Sequence, residues 1–214
     1  MDKLTVSEIY ASIQGESSYT GFPCVFVRLT GCPLRCRWCD TVHAFKGGKE
    51  TTVDDVLEQV LAHKIQVVEL TGGEPLAQEH TPLLMQRLID AGKTVLIETG
   101  GSEDISRLPA KAHVIMDIKC PGSKMQDRNL WTNIEVLKPT DEVKFVIVDQ
   151  ADFDWAINVI QEFRLDQKCQ ILISPAFGLM NPKDLAQMVV ETKLNIRMQL
   201  QIHKYIWNPK AKGV

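Results

Sequence analysis

Val25-Phe26-Val27-Arg28-Leu29-Thr30 is a short apolar run that opens directly into a loop carrying Cys32, Cys36 and Cys39. β-Branched and aromatic residues bounded by Gly31 and Pro33 read as a strand. The same unit recurs along the chain. Val67–Thr71 ends in Gly72-Gly73, Thr94–Thr99 ends in Gly100-Gly101, and Val114–Asp117, Val143–Val148, Gln170–Ser174 and Ile196–Ile202 follow. Helical stretches separate them. Thr52 reads as an N-cap with Asp55 in the capping-box position, followed by Val53, Val56, Leu57, Val60 and Leu61 on one face. Thr81 reads as the next N-cap, with Pro82 in the first turn and Gly92 at the end. Asp152–Phe163 and a segment opened by Asn181-Pro182 and ending near Leu194 complete the helical set, and 122–129 reads as a mobile loop.

Strands alternating with helices specify an α/β fold with a parallel sheet covered by helices. A closed eightfold barrel takes about 250 residues. A chain of 214 residues with about six parallel strands therefore fits an incomplete, partial TIM-type barrel. No linker or internal repeat divides it, so 1–214 reads as a single domain. In parallel α/β architectures the working residues collect at the C-terminal ends of the strands. Those ends here carry the cysteine loop, Gly72-Gly73, Thr99-Gly100-Gly101, Asp117-Ile118-Lys119 and Ser174-Pro175.

The chain is 44% hydrophobic and 24% charged with a formal charge of −3, which gives no broad basic field for nucleic acid. No apolar stretch approaches the ~20 residues of a membrane span, and the first residues lack a signal-peptide pattern. The expectation is a cytoplasmic protein that binds neither nucleic acid nor membrane. In that compartment six cysteines do not form a disulfide framework. Cys24, Cys120 and Cys169 are scattered and read as buried thiols.

Cys32, Cys36 and Cys39 crowd into eight residues. Three thiolates on one loop can hold a [4Fe–4S] cluster with one iron left open. The amino and carboxylate groups of S-adenosylmethionine can chelate that iron, and electron transfer into the sulfonium then releases a 5′-deoxyadenosyl radical. Spacing alone leaves a second reading open, a structural zinc held by Cys32, Cys36, Cys39 and His43.

The cysteine loop together with Thr71-Gly72-Gly73-Glu74-Pro75 resembles the radical S-adenosylmethionine superfamily. Ile13-Gln14-Gly15-Glu16, Phe26–Cys32, Cys39-Asp40-Thr41 and Ile97–Gly101 narrow the resemblance to the 7-carboxy-7-deazaguanine synthases, over essentially the whole chain. That resemblance implies ring contraction of 6-carboxy-5,6,7,8-tetrahydropterin with loss of ammonia, on the route to queuosine and other 7-deazapurines. It implies a cluster on Cys32, Cys36 and Cys39, magnesium on Thr41, and pterin contacts from Ile13, Gln14, Gly15, Arg28, Thr99 and the carboxylate of Val214. It assigns S-adenosylmethionine to Trp38, Gly72, Gly73, Glu74, Gly101, Asp117, Ile118, Lys119, Ser174 and Pro175. A flavodoxin or ferredoxin electron donor and a homodimer come with it.

Two positions depart from the pattern. Ser17 replaces the glycine of the usual Gln-Gly-Glu-Gly and is expected to stiffen its loop, and Asp117-Ile118 replaces Ser-Pro. Lys119 and His203 read equally well as surface groups, and Glu16 and Glu74 as loop caps. The rival within the superfamily is an enzyme that activates a glycyl radical on a partner protein, which would leave Gln14, Thr41 and Arg28 unexplained.

Overall fold

The structure, a computed structural model, describes residues 2–209 and 211–213. Val67–Gly72 (β4), Thr94–Thr99 (β5), His113–Asp117 (β6), Glu142–Ile147 (β7), Gln170–Pro175 (β8) and Ile196–Met198 (β9) run parallel to Pro23–Leu29 (β2). Two strands absent from the sequence reading, Lys3–Ile13 (β1) and Lys49–Thr52 (β3), add to β2 antiparallel. The order is β3-β1-β2-β4-β5-β6-β7-β8-β9, with β3 and β9 as free edges, so the barrel is open. The last expected strand is shorter than its sequence pattern, because the chain leaves the ladder after Met198.

The helices Val53–Ala62 (α1), Thr81–Asp90 (α2), Asn133–Val136 (α3), Gln150–Phe163 (α4), Pro182–Thr192 (α5) and His203–Ile206 (α6) complete the chain. The Thr52 hydroxyl accepts from the Asp55 amide at 3.1 Å, as the capping pattern requires. Val53, Val56 and Val60 are all buried, and removing such side chains from water contributes about 1.5–3 kcal/mol each. A charged group at Val56, which is wholly buried, would break that packing. The start of α2 needs a correction. His80 is the residue before the helix, and the Thr81 hydroxyl instead donates to the Pro75 carbonyl at 2.6 Å. Segment 122–129 is two 3-10 turns, Pro121–Ser123 and Gln126–Arg128. Asn129 ties it to Lys119 by donating to its carbonyl (3.0 Å) and accepting from its amide (2.9 Å).

Side chains alternate across each strand. One set, including Val27, Val68, Ile97, Met116, Phe145 and Ile173, packs in the main core with the helices. The other set faces the barrel interior. Its lower layer is apolar, made by Cys24, Phe26, Val67, Leu96 and Ile115, with Tyr10 stacked on Phe26 at 5.1 Å. Two residues further along the same faces the layer becomes Arg28, Glu69, Glu98 and Asp117, with Lys144 paired opposite Asp117. The barrel interior thus has an apolar layer beneath a charged one.

The open side is bridged by the loop between β1 and β2. Ser17 donates its amide to Gln199 Oε1 at 2.8 Å, Arg197 donates to the Ser17 carbonyl at 2.9 Å, and Ile202 donates to the Gly15 carbonyl at 3.0 Å. Ser17 is buried at φ 65°, in the left-handed region that favours glycine and costs other residues about 1–2 kcal/mol. Its hydroxyl accepts from the Tyr19 amide at 3.1 Å and offsets part of that cost.

Candidate active site

Above the charged layer lies a cavity of about 450 Å³. Its first wall is the cysteine loop, from which Cys32, Cys36 and Cys39 all reach the cavity. Two glycines allow that wall to sit where it does. A Cβ on Gly72 (φ 143°) would lie 2.2 Å from the Leu29 carbonyl oxygen, and one on Gly73 would lie 2.1 Å from that of Gly31. With no side chain there, Gly73 donates to Leu29 O (3.0 Å) and Glu74 to Gly31 O (2.7 Å), so the two loops lock together. The Glu74 carboxylate then accepts from Thr99 Oγ1, the Gly100 amide and the Leu76 amide at 2.8, 2.7 and 3.1 Å. Glu74 is a loop cap, and burial pushes its carboxyl upward despite those bonds. Burial also raises the three thiols, Cys36 to about 11, so a metal binding there must displace protons.

The floor is the charged layer. Lys144 donates to Glu16 Oε2 at 3.0 Å, contacts Glu98, and lies 3.9 Å from Asp117 Oδ2. Burial alone would discharge it, yet Glu16, Glu98 and Asp117 together hold its ammonium well above the usual lysine range. Lys119 pairs with Asp117 Oδ2 at 2.9 Å and sits 5.4 Å over the Trp38 ring. Both lysines are buried, so Lys119 is not a surface group. Glu69 accepts from Gln14, and burial beside the Glu98 and Glu16 carboxylates pushes its own carboxyl well up. Asp117 Oδ1 and Trp38 Nε1 are buried without a protein partner.

The third wall joins β1 to the C-terminal segment. Arg28 donates to Glu8 at 2.7 Å and to the Tyr10 hydroxyl at 2.8 Å, which fixes its guanidinium at the cavity edge. His43 Nε2 faces the same Glu8 carboxylate at 3.3 Å. Lys204 on α6 reaches across to Asp40 at 2.5 Å, and Asp40 accepts from the Thr41 hydroxyl at 2.9 Å. Burial works against the Asp40 charge, but Lys204 holds its carboxyl down at about 2.

The structure brings Cys32, Cys36, Cys39, Thr41, Trp38, Gly72, Gly73, Glu74, Asp117, Lys119, Ile13, Gln14, Gly15, Arg28 and Thr99 to one cavity. Thr99 is committed to Glu74 and almost fully buried. Gly101, Ile118, Ser174 and Pro175 lie outside the cavity lining. Ile118 is in the main core, and Gly101 packs on Met116. Val214 lies outside the described residues. Sequence reading overlooked Glu8, Tyr10, Glu69, Glu98 and Lys144, all of which line the cavity. A signal existed for three of them. Strands covered on both faces read as continuous apolar runs, so Glu69, Glu98 and Lys144 inside Val67–Leu70, Leu96–Thr99 and Val143–Phe145 each mark an interior polar site.

The donor set fits a cluster better than a single zinc ion. His43, the fourth ligand a zinc site would need, turns to Glu8. Three cysteines on one wall of the cavity and orphaned polar atoms on Asp117 and Trp38 fit a cluster with a polar cofactor beside it.

Residues 26–165 match the radical SAM superfamily, and the chain belongs to it. The [4Fe–4S] cluster and S-adenosylmethionine belong to that class of enzyme. A 7-carboxy-7-deazaguanine synthase of Koribacter versatilis is 43% identical over 99% of this chain and all of its own length. One of Chlorobaculum tepidum is 44% identical over 99% of this chain and 97% of its own. Within the superfamily the chain belongs to the 7-carboxy-7-deazaguanine synthases. The crystal structure of QueE from Escherichia coli shares the fold, with a TM-score of 0.76 over 92% of this chain and 94% of that one at 21% identity.

Proposed function

We propose that this enzyme converts 6-carboxy-5,6,7,8-tetrahydropterin into 7-carboxy-7-deazaguanine, with the whole chain acting as one catalytic domain. The carrying observation is that one cavity joins three cysteines to an arginine whose guanidinium Glu8 and Tyr10 hold in place. Bound cluster and S-adenosylmethionine supply the radical that takes a hydrogen atom from the pterin. Everything else falls to the protein. Cys32, Cys36 and Cys39 hold the cluster. The Gly72-Gly73-Glu74 turn, with Trp38, Asp117 and Lys119, would receive S-adenosylmethionine, and Gly101, Ile118, Ser174 and Pro175 shape that wall from behind. Arg28 grips the substrate carboxylate, a bidentate match of planar groups. Gln14, fixed by Glu69, and the backbone of Ile13 and Gly15 meet the pterin edge, while Thr99 braces the loop through Glu74. Thr41 would offer its hydroxyl to magnesium, which would stabilise charge developing on the substrate.

A flavodoxin or ferredoxin supplies the electron, and the enzyme works as a cytoplasmic homodimer. Among the described residues no helix is long and apolar enough to cross a membrane. The test is anaerobic incubation of reconstituted enzyme with dithionite, S-adenosylmethionine, magnesium and the carboxylated pterin. A product lighter than the pterin by one ammonia, with S-adenosylmethionine regenerated, is expected. Cleavage of S-adenosylmethionine with the pterin recovered unchanged would overturn the assignment.

A further inference from the structure

One carboxylate in the barrel interior stands in apolar company. Glu142, the first residue of β7, is buried and in register with Ile115 of the apolar layer. A carboxylate placed there is costly unless it is hydrogen-bonded. Its Oε1 accepts from the Ser18 amide at 2.9 Å and faces His113 Nε2 at 3.6 Å. The His113 ring in turn meets the Tyr19 ring edge-on, with centroids 5.2 Å apart. Glu142 Oε2 has no hydrogen-bond partner among the described residues, so the bonds of this group run towards the 14–22 loop. Burial works against the charge, but His113 and the Ser18 amide hold the carboxyl below the usual glutamate range.

Two residues further along the same face of β7 stands Lys144, which holds Glu16 at 3.0 Å. One strand therefore grips the loop twice, at Glu16 and at Ser18. Between the two grips Ser17 is tied to Gln199 and Arg197, and beyond them Tyr19 packs on the apolar layer. The cavity side of the loop presents Gln14, Gly15 and Glu16. The Gln14 carbonyl accepts from the Gly21 amide and the Gln14 amide donates to the Phe22 carbonyl, both at 2.8 Å, so the loop is closed on itself and moves as a unit. Glu142 does not line the cavity, yet it fixes the segment that does.

We infer that Glu142 is a positioning residue, which through the Ser18 amide sets the Gln14-Gly15-Glu16 segment at the height the substrate requires. The inference rests on the proposed reaction for the identity of that substrate. Small displacements of a segment that holds a reactant are felt strongly in binding and rate.

The test compares the holoenzyme with three variants. Glu142→Leu suits the apolar layer but leaves the Ser18 amide without an acceptor. Glu142→Asp keeps the charge and withdraws it by one methylene, and Glu142→Gln keeps an acceptor oxygen at the same reach. With dithionite as reductant, Glu142→Leu and Glu142→Asp should raise the pterin KM about tenfold, with kcat changed less than about threefold. Glu142→Gln should stay within about threefold of the parent in both constants. Iron content and S-adenosylmethionine binding should match the parent throughout. Hydrogen exchange read by mass spectrometry should be severalfold faster across 14–22 in Glu142→Leu and Glu142→Asp, and close to the parent in Glu142→Gln. A parent-like KM and exchange rate in Glu142→Leu overturns the inference. Equal damage in Glu142→Gln also overturns it, because the charge and not the bond would then be what matters. A parallel loss of iron overturns it too, by showing general damage to the barrel. Should Glu142→Leu fail to fold, Glu142→Asp against Glu142→Gln makes the same comparison. If the parent does not transform the pterin, the proposed reaction fails, and the exchange rates still decide whether Glu142 fixes the loop.

Discussion

Lys144 shows what a single residue does at the centre of the barrel. It is nearly inaccessible and is the common partner of Glu16, Glu98 and Asp117. Removing one member of a buried ionic group leaves the others uncompensated, at about 3–5 kcal/mol. Lys144→Met should therefore lower unfolding free energy by about that amount in urea titrations; a change below about 1 kcal/mol would refute the role. Asp40 makes the opposite case, a half-exposed carboxylate with a single cationic partner, Lys204, and a hydrogen bond from the Thr41 hydroxyl. Its pKa falls from near 3.8 to about 2 on folding. Its contribution is present above pH 4 and is lost as pH falls from about 4 to about 2. Exposure limits the pair to about 1 kcal/mol or less. Thermal melts of parent and Lys204→Ala should differ slightly at pH 6 and converge as pH falls to about 2. Most of the cavity was legible at this scale, because its residues break apolar strands or crowd one loop. Glu8 and Tyr10 were not, since polar residues on a half-exposed strand carry no such signal.

Among the elements, the parallel strands and main helices follow from periodicity and caps, whereas β1 and β3 do not. In β1 the apolar positions Leu4 and Val6 give way to Ile9, Ala11 and Ile13, and the register shifts between Val6 and Glu8. A bulge adds a residue and breaks the period-two pattern that marks a strand. β3 is Lys-Glu-Thr-Thr and has no apolar face at all. The Gly72-Gly73 turn was legible as a motif, but its reason is geometric. A methyl at position 73 meets backbone atoms of Gly31, which cannot rotate aside, and lies 3.1 Å from Cys32 Cβ. Gly73→Ala should displace the cysteine loop while the distant helices stay folded. We expect at least a severalfold loss of iron per protein after reconstitution with little change in far-ultraviolet circular dichroism. Full iron content would show that the loops tolerate separation.

For the whole molecule the decisive contacts join the two ends of the chain, and no local pattern announces them. The 14–22 loop meets 197–202 across the open side of the barrel, and Gly15 has no room for a side chain because His203 lies against it. Long-range closure of this kind depends on where the sheet stops, which is a property of the assembled barrel. The segment after α6 continues the same closure. Pro209, Ala211, Lys212 and Gly213 line the cavity, and Gly213 comes near the Glu8 that orients Arg28. The segment is anchored at its root by Lys204 on Asp40, the residue that follows Cys39. Removing residues 209–214 should therefore strip one wall from the substrate side and leave the sulfur side intact. If that wall supplies charge-assisted hydrogen bonds of about 1.5–3 kcal/mol, pterin KM should rise about ten- to a hundredfold. Iron content and S-adenosylmethionine binding should not change. Equal KM values for the truncated and full chains would show that the substrate is held by Arg28 and Gln14 alone.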